Sequence, residues 1–229
     1  MSSLTEVASP YGRYHYLLDG EPAPIEEHWS RKPRAGGGWF IRAERAAADI
    51  RLSVNAEFES GQVLQCNVEW VASGQPSIRA FYRLEEDGVS VIRQRGEEAE
   101  ERNILSPDEQ GRLPLVLPLL RIFTGPVISR LLDDESDRAV LVPSIVNPQD
   151  DESLLRPRLG NRAASIVQLG QEQQLFGRNY SSRLCTFTGE QYDDDSRFWL
   201  GEDETLLRYM WPQPGVGTWD VQLEELAQL

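Results

Sequence analysis

The chain has 229 residues, 40% of them hydrophobic, and sets 37 acids against 23 bases for a formal net charge of −14. That composition excludes wholesale disorder and leaves length for one large all-β domain or two small ones. A field of this sign repels phosphate backbones and anionic lipid surfaces, so nucleic acid is not an expected partner.

The opening "MSSLTEVASPYG" has neither a basic start nor an apolar core, so it does not read as a secretory signal. No run reaches the ~18–20 uninterrupted apolar residues of a membrane span. A cytoplasmic protein without a membrane span is the expectation. Further on, "YGRYHYLL" and "IEEHWSRK" flank the turn-rich "DGEPAP", and "GGGWFIRAERAA" reads as a strand entered through a bend. "DIRLSVNAEF" then alternates cleanly, with Ile50, Leu52, Val54, Ala56 and Phe58 on one side. "QVLQCNVEWVA" puts Leu64, Cys66, Val68 and Trp70 on one face, and "SIRAFYRLEE" does so with Ile78, Ala80, Tyr82 and Leu84. Short Gly-containing links between these runs, followed by "VSVIRQR", call for antiparallel hairpins in a meander.

Residues 97–160 break this grammar. "EEAEERN" reads as a solvated turn or frayed helix, and "SPDEQGRLP" as a loop. The segment "RLPLVLPLLRIFTGPVISRLLDDES" is the longest apolar stretch, cut by Pro114, Pro118 and Gly125-Pro126. Helical spacing of Leu119, Ile122 and Phe123, and again of Val127, Leu131 and Leu132, predicts two short helices separated at Gly125-Pro126. "RAVLVPSIV" follows as a strand or edge segment and "NPQDDESLLRPRLGN" as a long loop. Strands resume with "RAASIVQLG", "NYSSRLCTFTG", "SRFWLG", "TLLRYMWPQ" and "TWDVQLEEL".

About a dozen antiparallel strands with one wet face must curl or close. The fold expected is therefore mainly β: a curved antiparallel sheet, half-barrel or lipocalin-like barrel, forming a single domain over 1–229. A helical lid inserted at 112–135 would cover its apolar interior. Such an interior either encloses a cavity or is filled by the lid as a plain core plug. Trp70, Tyr82, Trp199, Tyr209 and Trp211 lie in expected strands and, with Phe123 of the lid, are the candidate pocket wall for a small hydrophobic molecule. Arg121 and Arg130 are the charges inside the lid. One reading has Arg121 hold an anionic head group at the pocket mouth; the other lays both stems over apolar neighbours with their heads in water.

The C-terminal run "RFWLGEDETLLRYMWPQPGVGTWDVQLEEL" resembles the closing strands of bacterial lipoprotein-carrier-like half-barrels. The likeness covers about 30 residues, and the strand–lid–strand order extends it loosely. It implies a curved sheet wrapped around helices with a cavity for a greasy ligand.

Catalytic motifs are few. No Gly-Lys-Ser/Thr phosphate loop, G-x-G-x-x-G or G-x-S-x-G occurs. A Schiff base could form only at Lys32, the single lysine, in the polar run "SRKPR". His15 and His28 with Cys66 and Cys185 give no zinc spacing, and the runs "DDESD" and "YDDDS" lack the ligand alternation of a calcium loop. No cofactor is expected, and the cysteines read as reduced, buried thiols. His15 beside Glu26 or Glu27 would make an acid–base pair if the first two runs pair as a hairpin; Glu69 and Asp220 are further acid candidates. The function expected is a carrier or sequestering protein for a hydrophobic molecule. The alternative is a cofactor-free isomerase or cyclase acting on a terpenoid, polyketide or fatty-acid-like substrate in the same pocket.

Overall fold

A computed structural model describes residues 10–134 and 137–226. The opening residues 1–9, on which the export reading rests, and Glu135 of the expected insertion lie outside the described residues.

One open, curved sheet of fifteen strands organises the described chain. The first meander comprises β1 (Tyr11–Leu18), β2 (Glu21–Pro33), β3 (Trp39–Ala47), β4 (Ile50–Glu59), β5 (Gln62–Ala72), β6 (Ile78–Leu84), β7 (Val89–Arg95) and β8 (Glu101–Leu105). A two-residue strand, β9 (Leu115–Val116), precedes a 3-10 turn at Arg121–Phe123 and a single α-helix, α1 (Thr124–Leu132). The second meander is β10 (Arg138–Pro143), β11 (Pro157–Leu175), β12 (Arg178–Thr188), β13 (Arg197–Gly201), β14 (Leu206–Gln213) and β15 (Gly217–Leu226). β15 pairs antiparallel with β1 and joins the two meanders, while β9 pairs parallel with β10 at the far edge.

Apolar periodicity places the inner face where the sequence puts it on β4 and β6: Leu52, Val54, Ala56, Ile78, Ala80 and Tyr82 are all buried. On β5 the register slips opposite Glu57 and Phe58, so Val63, and not Leu64, faces inward. The inserted residue is a β-bulge, which shifts the alternation by one and accentuates the curl. Three other expectations are corrected. "EEAEERN" runs into edge strand β8, whose charged residues discourage pairing with another chain. β11 begins at Pro157, inside the expected long loop. α1 runs straight through Gly125-Pro126 in place of two helices.

The sheet overlaps itself. β9 lies against β5, and the loop before β11 tucks under β6 and β7. There Tyr82 Oη donates to the carbonyl of Leu155 at 2.7 Å, and the buried Arg93 donates to the carbonyls of Leu154 (2.7 Å) and Asp151 (2.5 Å). Inside this roll, α1 touches β5, β11 and β14. Leu120, Ile122, Phe123, Val127, Ile128 and Leu131 fill the hollow, a burial worth on the order of 10 kcal/mol. Gly125 lets the helix in: an added Cβ would collide with the Glu204 carbonyl oxygen and stand 2.7 Å from the Leu206 nitrogen. The glycine serves close approach to the β13–β14 turn, not helix termination.

Candidate functional site

Tyr14 and Tyr16 on β1, Glu27 on β2 and Arg45 on β3 project from one face, since each follows the inward parity of its strand. Tyr209 and Trp211 on β14 continue this face across β15. Glu27 is only 1% exposed. Its Oε2 accepts a 2.5 Å bond from Tyr16 Oη, and its Oε1 accepts a 2.6 Å bond from the Arg121 backbone N–H. Arg45 approaches the same carboxylate at 3.9 Å. The bond to Arg121 depends on Leu119, whose φ of 68° turns the chain just before the 3-10 segment. Left-handed backbone at leucine is uncommon, and strain of this kind persists only where the surroundings enforce it.

Arg121 is thereby delivered among three phenols. Nε donates to Tyr16 Oη at 3.3 Å, Nη1 donates to Tyr192 Oη at 3.2 Å, and the guanidinium lies 4.5 Å from the centre of the Tyr209 ring. It makes no ion pair among the described residues, and its Nη2 finds no partner there. Tyr192 comes from the loop after β12. A bridge between Gly189 and Tyr192, with Gly189 at φ 113°, folds this loop back, and Arg162 pins it through the Gly189 carbonyl and a 2.7 Å bond to Glu190. Its ring packs edge-on against Phe198 and Trp211. The Arg162 guanidinium lies over the Phe187 and Tyr192 rings at 5.1 and 5.8 Å.

Two connected hollows open here. One, of about 320 Å³, is lined by Leu117, Leu119, Val142, Phe187, Tyr192 and Trp211 together with Arg45, Arg121, Arg158 and Arg162. The other, of about 190 Å³, is lined by Tyr16, Ile25, Arg45, Arg121, Tyr209, Trp211 and Trp219. Arg45, Arg121, Trp211 and Gln213 border both. Four guanidiniums thus face this cleft, against the carboxylates of Glu27 and Glu190. The environment separates the phenols. Burial, reinforced by Glu27, pushes Tyr16 up to about 12. Burial also drives Tyr209 well upward against the pull of Arg121. At Tyr192 burial pushes the same way, but the Arg121 charge and hydrogen bond, with Gln191 and Arg162, hold the phenol below its ordinary value.

The structure gathers three of the candidate ligand-binding residues, Arg121, Tyr209 and Trp211, at this cleft. Trp70, Tyr82 and Phe123 lie in the packed core instead. Trp199 is buried as well, on the strand parity opposite Tyr209 and so away from the cleft, its Nε1 donating to Gln171 Oε1 at 2.7 Å. The candidate acids and base are outside the roll: Glu69 pairs with Arg79, and Asp220 makes a two-pronged pair with Arg208. β1 and β2 form the expected hairpin, with His15 opposite Glu26, but the His15 ring bonds Glu224 of β15 at 2.8 Å and stacks on Phe176. Glu27 points to the opposite face. A further depression, of about 500 Å³, lies on the outer face among Lys32, Phe40, Arg42, Asn55 and Asn67. Among the described residues no cluster of three metal-ligating side chains occurs, and no helix is long and apolar enough to cross a membrane.

Reasoning from sequence took Glu27 only as a neighbour for His15, and missed Arg45, Arg162 and Tyr192. The first had a signal: Ile25, Glu27 and Trp29 alternate, which puts the carboxylate on the apolar face. Tyr192 had none, because "QYDDDS" has the composition of a solvated turn.

This is a β-barrel-like protein, built on one open rolled sheet around a short helix. No family model and no curated protein matches the chain. Among solved structures it is similar to the β-barrel-like protein of domain of unknown function DUF1849 from Brucella abortus, at 8% identity and a TM-score of 0.50, over 96% of this chain and 98% of that one. At that identity the likeness is one of fold.

Proposed function

We propose that the protein is a carrier or sequestering protein that binds a small amphipathic anion, an apolar body with a carboxylate-like head, in the cleft beside the 3-10 turn. The observation that carries this reading is Arg121. Its guanidinium is held among phenols, makes no ion pair among the described residues, leaves Nη2 without a hydrogen-bond partner there and borders both hollows. Glu27 reaches the guanidinium only across the Tyr16 hydroxyl, so no carboxylate bonds its N–H groups directly, and an anionic head group supplies an acceptor for the unused one. Leu117, Leu119, Val142 and Trp211 offer the apolar wall for the body. The greasy ligand implied by the resemblance to lipoprotein carriers is here assigned to the side of α1, since the space beneath the helix is filled by its own side chains.

Tryptophan fluorescence titrations with dodecanoate and dodecanol test the reading. The acid is expected to bind at least ~10-fold tighter than the alcohol, a difference of about 1.4 kcal/mol. Arg158→Gln at the half-exposed rim, or Arg45→Gln beside Glu27, should narrow that gap while preserving the fold. Equal binding of acid and alcohol, or binding of neither, would refute it.

A further inference from the structure

Resting on that binding site, we propose an activity: Tyr192 acts as a general base that enolises a ketone-bearing carboxylate, whose carbonyl oxygen takes the acceptor position at Nη2 of Arg121 while its carboxylate lies against Arg45 and Arg158 of the same lining. Tyr192 lines the cleft, and its hydroxyl already accepts a hydrogen bond from Nη1 of the same guanidinium whose Nη2 is free. The planar fork therefore fixes the base and the oxyanion donor side by side, the arrangement a C–H and its adjacent C=O require. Arg121 and Arg162 are the charged groups facing the phenol; Glu190 is engaged by Arg162 and Arg158, and no carboxylate bonds the Tyr192 hydroxyl among the described residues. The charge and hydrogen bond of Arg121, with the more distant Arg162 and its Glu190 partner, favour the phenolate, which agrees with the downward direction at Tyr192. Geometry separates the phenols: Tyr16 commits its proton to Glu27 at 2.5 Å, whereas the Tyr192 oxygen accepts from Arg121 and lines the cleft.

The step balances without a co-reactant. The C–H bond beside the carbonyl breaks and its proton passes to Tyr192 Oη. The electron pair forms the C=C bond and displaces the carbonyl pair onto oxygen, where Arg121 receives it. Return of the proton to the same carbon gives exchange, and its delivery to the far end of a conjugated system gives isomerisation.

The test uses the full chain and 4-oxo-4-phenylbutanoate in D2O, following deuterium entry at the methylene beside the ketone by proton NMR and binding by tryptophan fluorescence. Wild type should exchange roughly 100-fold faster than Tyr192→Phe, in keeping with general-base catalysis. The variant keeps the ring packing on Phe198 and Trp211, and exchange is compared at keto-acid concentrations that the fluorescence titration shows to saturate each protein, so that altered affinity is separated from lost proton transfer. Absorbance at 295 nm should show one phenol titrating below the others, lost in Tyr192→Phe, with exchange rising through the same pH. Binding without exchange, exchange that survives Tyr192→Phe, or absence of that titration overturns the activity and leaves the binding reading intact. Failure of the keto acid to bind, with dodecanoate bound, overturns the activity alone; failure of both ligands overturns the binding reading as well.

Discussion

Gly125→Ala separates a glycine that ends a helix from one that admits it. In an ordinary exposed helix position alanine is better than glycine by about 1 kcal/mol, so the substitution would stabilise. Here the new methyl group would land on the Glu204 carbonyl oxygen, 2.7 Å from the Leu206 nitrogen and 3.1 Å from the Thr205 carbonyl carbon. All three are backbone atoms of the β13–β14 turn, so no side-chain rotation relieves them. Either the turn or α1 must shift, and α1 cannot move outward without uncovering Val127, Ile128 and Leu131. Overpacking costs ~1–3 kcal/mol, and against backbone atoms that cannot yield the cost lies toward the upper part, ~2–3 kcal/mol, which outweighs the propensity gain. A net loss of about 1–2 kcal/mol is expected, which for a chain of this length lowers Tm by roughly 2–8 °C. Thermal melts followed by circular dichroism measure it directly. A Tm that stays level or rises would mean that α1 does not press against this turn, and the account of a filled roll would fail.

Three further outcomes follow from buried polar groups. Tyr82→Phe removes the donor to the Leu155 carbonyl and should cost ~1–2 kcal/mol in urea unfolding, with faster proteolysis of the loop at 147–156. Alkaline stability follows from Tyr16, held up to about 12 against an ordinary 10.0. Because the folded state binds this proton more tightly, its stabilising effect is complete below pH 10 and is lost between about pH 10 and 12, roughly 2–3 kcal/mol in all; urea midpoints across that window, compared with Tyr16→Phe, read it out. Burial pushes the thiols of Cys66 and Cys185 upward, so neither should react with a disulfide reagent at pH 8 in the native protein, while both react in denaturant.

Legibility in this sequence tracks the kind of force involved. The sheet was readable because alternation on β4 and β6 is dictated by burial of one face, and the Gly-containing turns between strands set hairpins. It failed first at Leu64, where a bulge shifts the parity by one and no local residue announces it. It failed again at β8 and at the start of β11, before Arg162, where charged or small residues carry weak strand preference and are held by pairing with neighbours. Propensity gives way to tertiary pairing in such segments. Gly125-Pro126 misled for a related reason. A glycine's role in close backbone approach depends on what lies opposite, and Glu204 is 79 residues away in the chain.

The cleft was less legible than the fold because a polar site is assembled across strands, whereas alternation reports along one. Arg121 illustrates the point. From its own segment, a long cation within an apolar run is as well placed with its head in water as inside. What decides is that Leu119 turns the backbone so that Glu27 captures the Arg121 N–H, and that β1, β14 and the loop after β12 each present a phenol to the guanidinium. Those contacts span between 71 and 105 residues for the two side-chain bonds alone. The signal that does survive in the sequence is a conflict: Glu27 and Arg45 sit at positions whose strand neighbours, Trp29 and Ala43, are buried. A charged residue on the apolar parity of a strand must find a partner inside, so two such residues on adjacent strands point to a polar site at that level of the sheet before any contact is known.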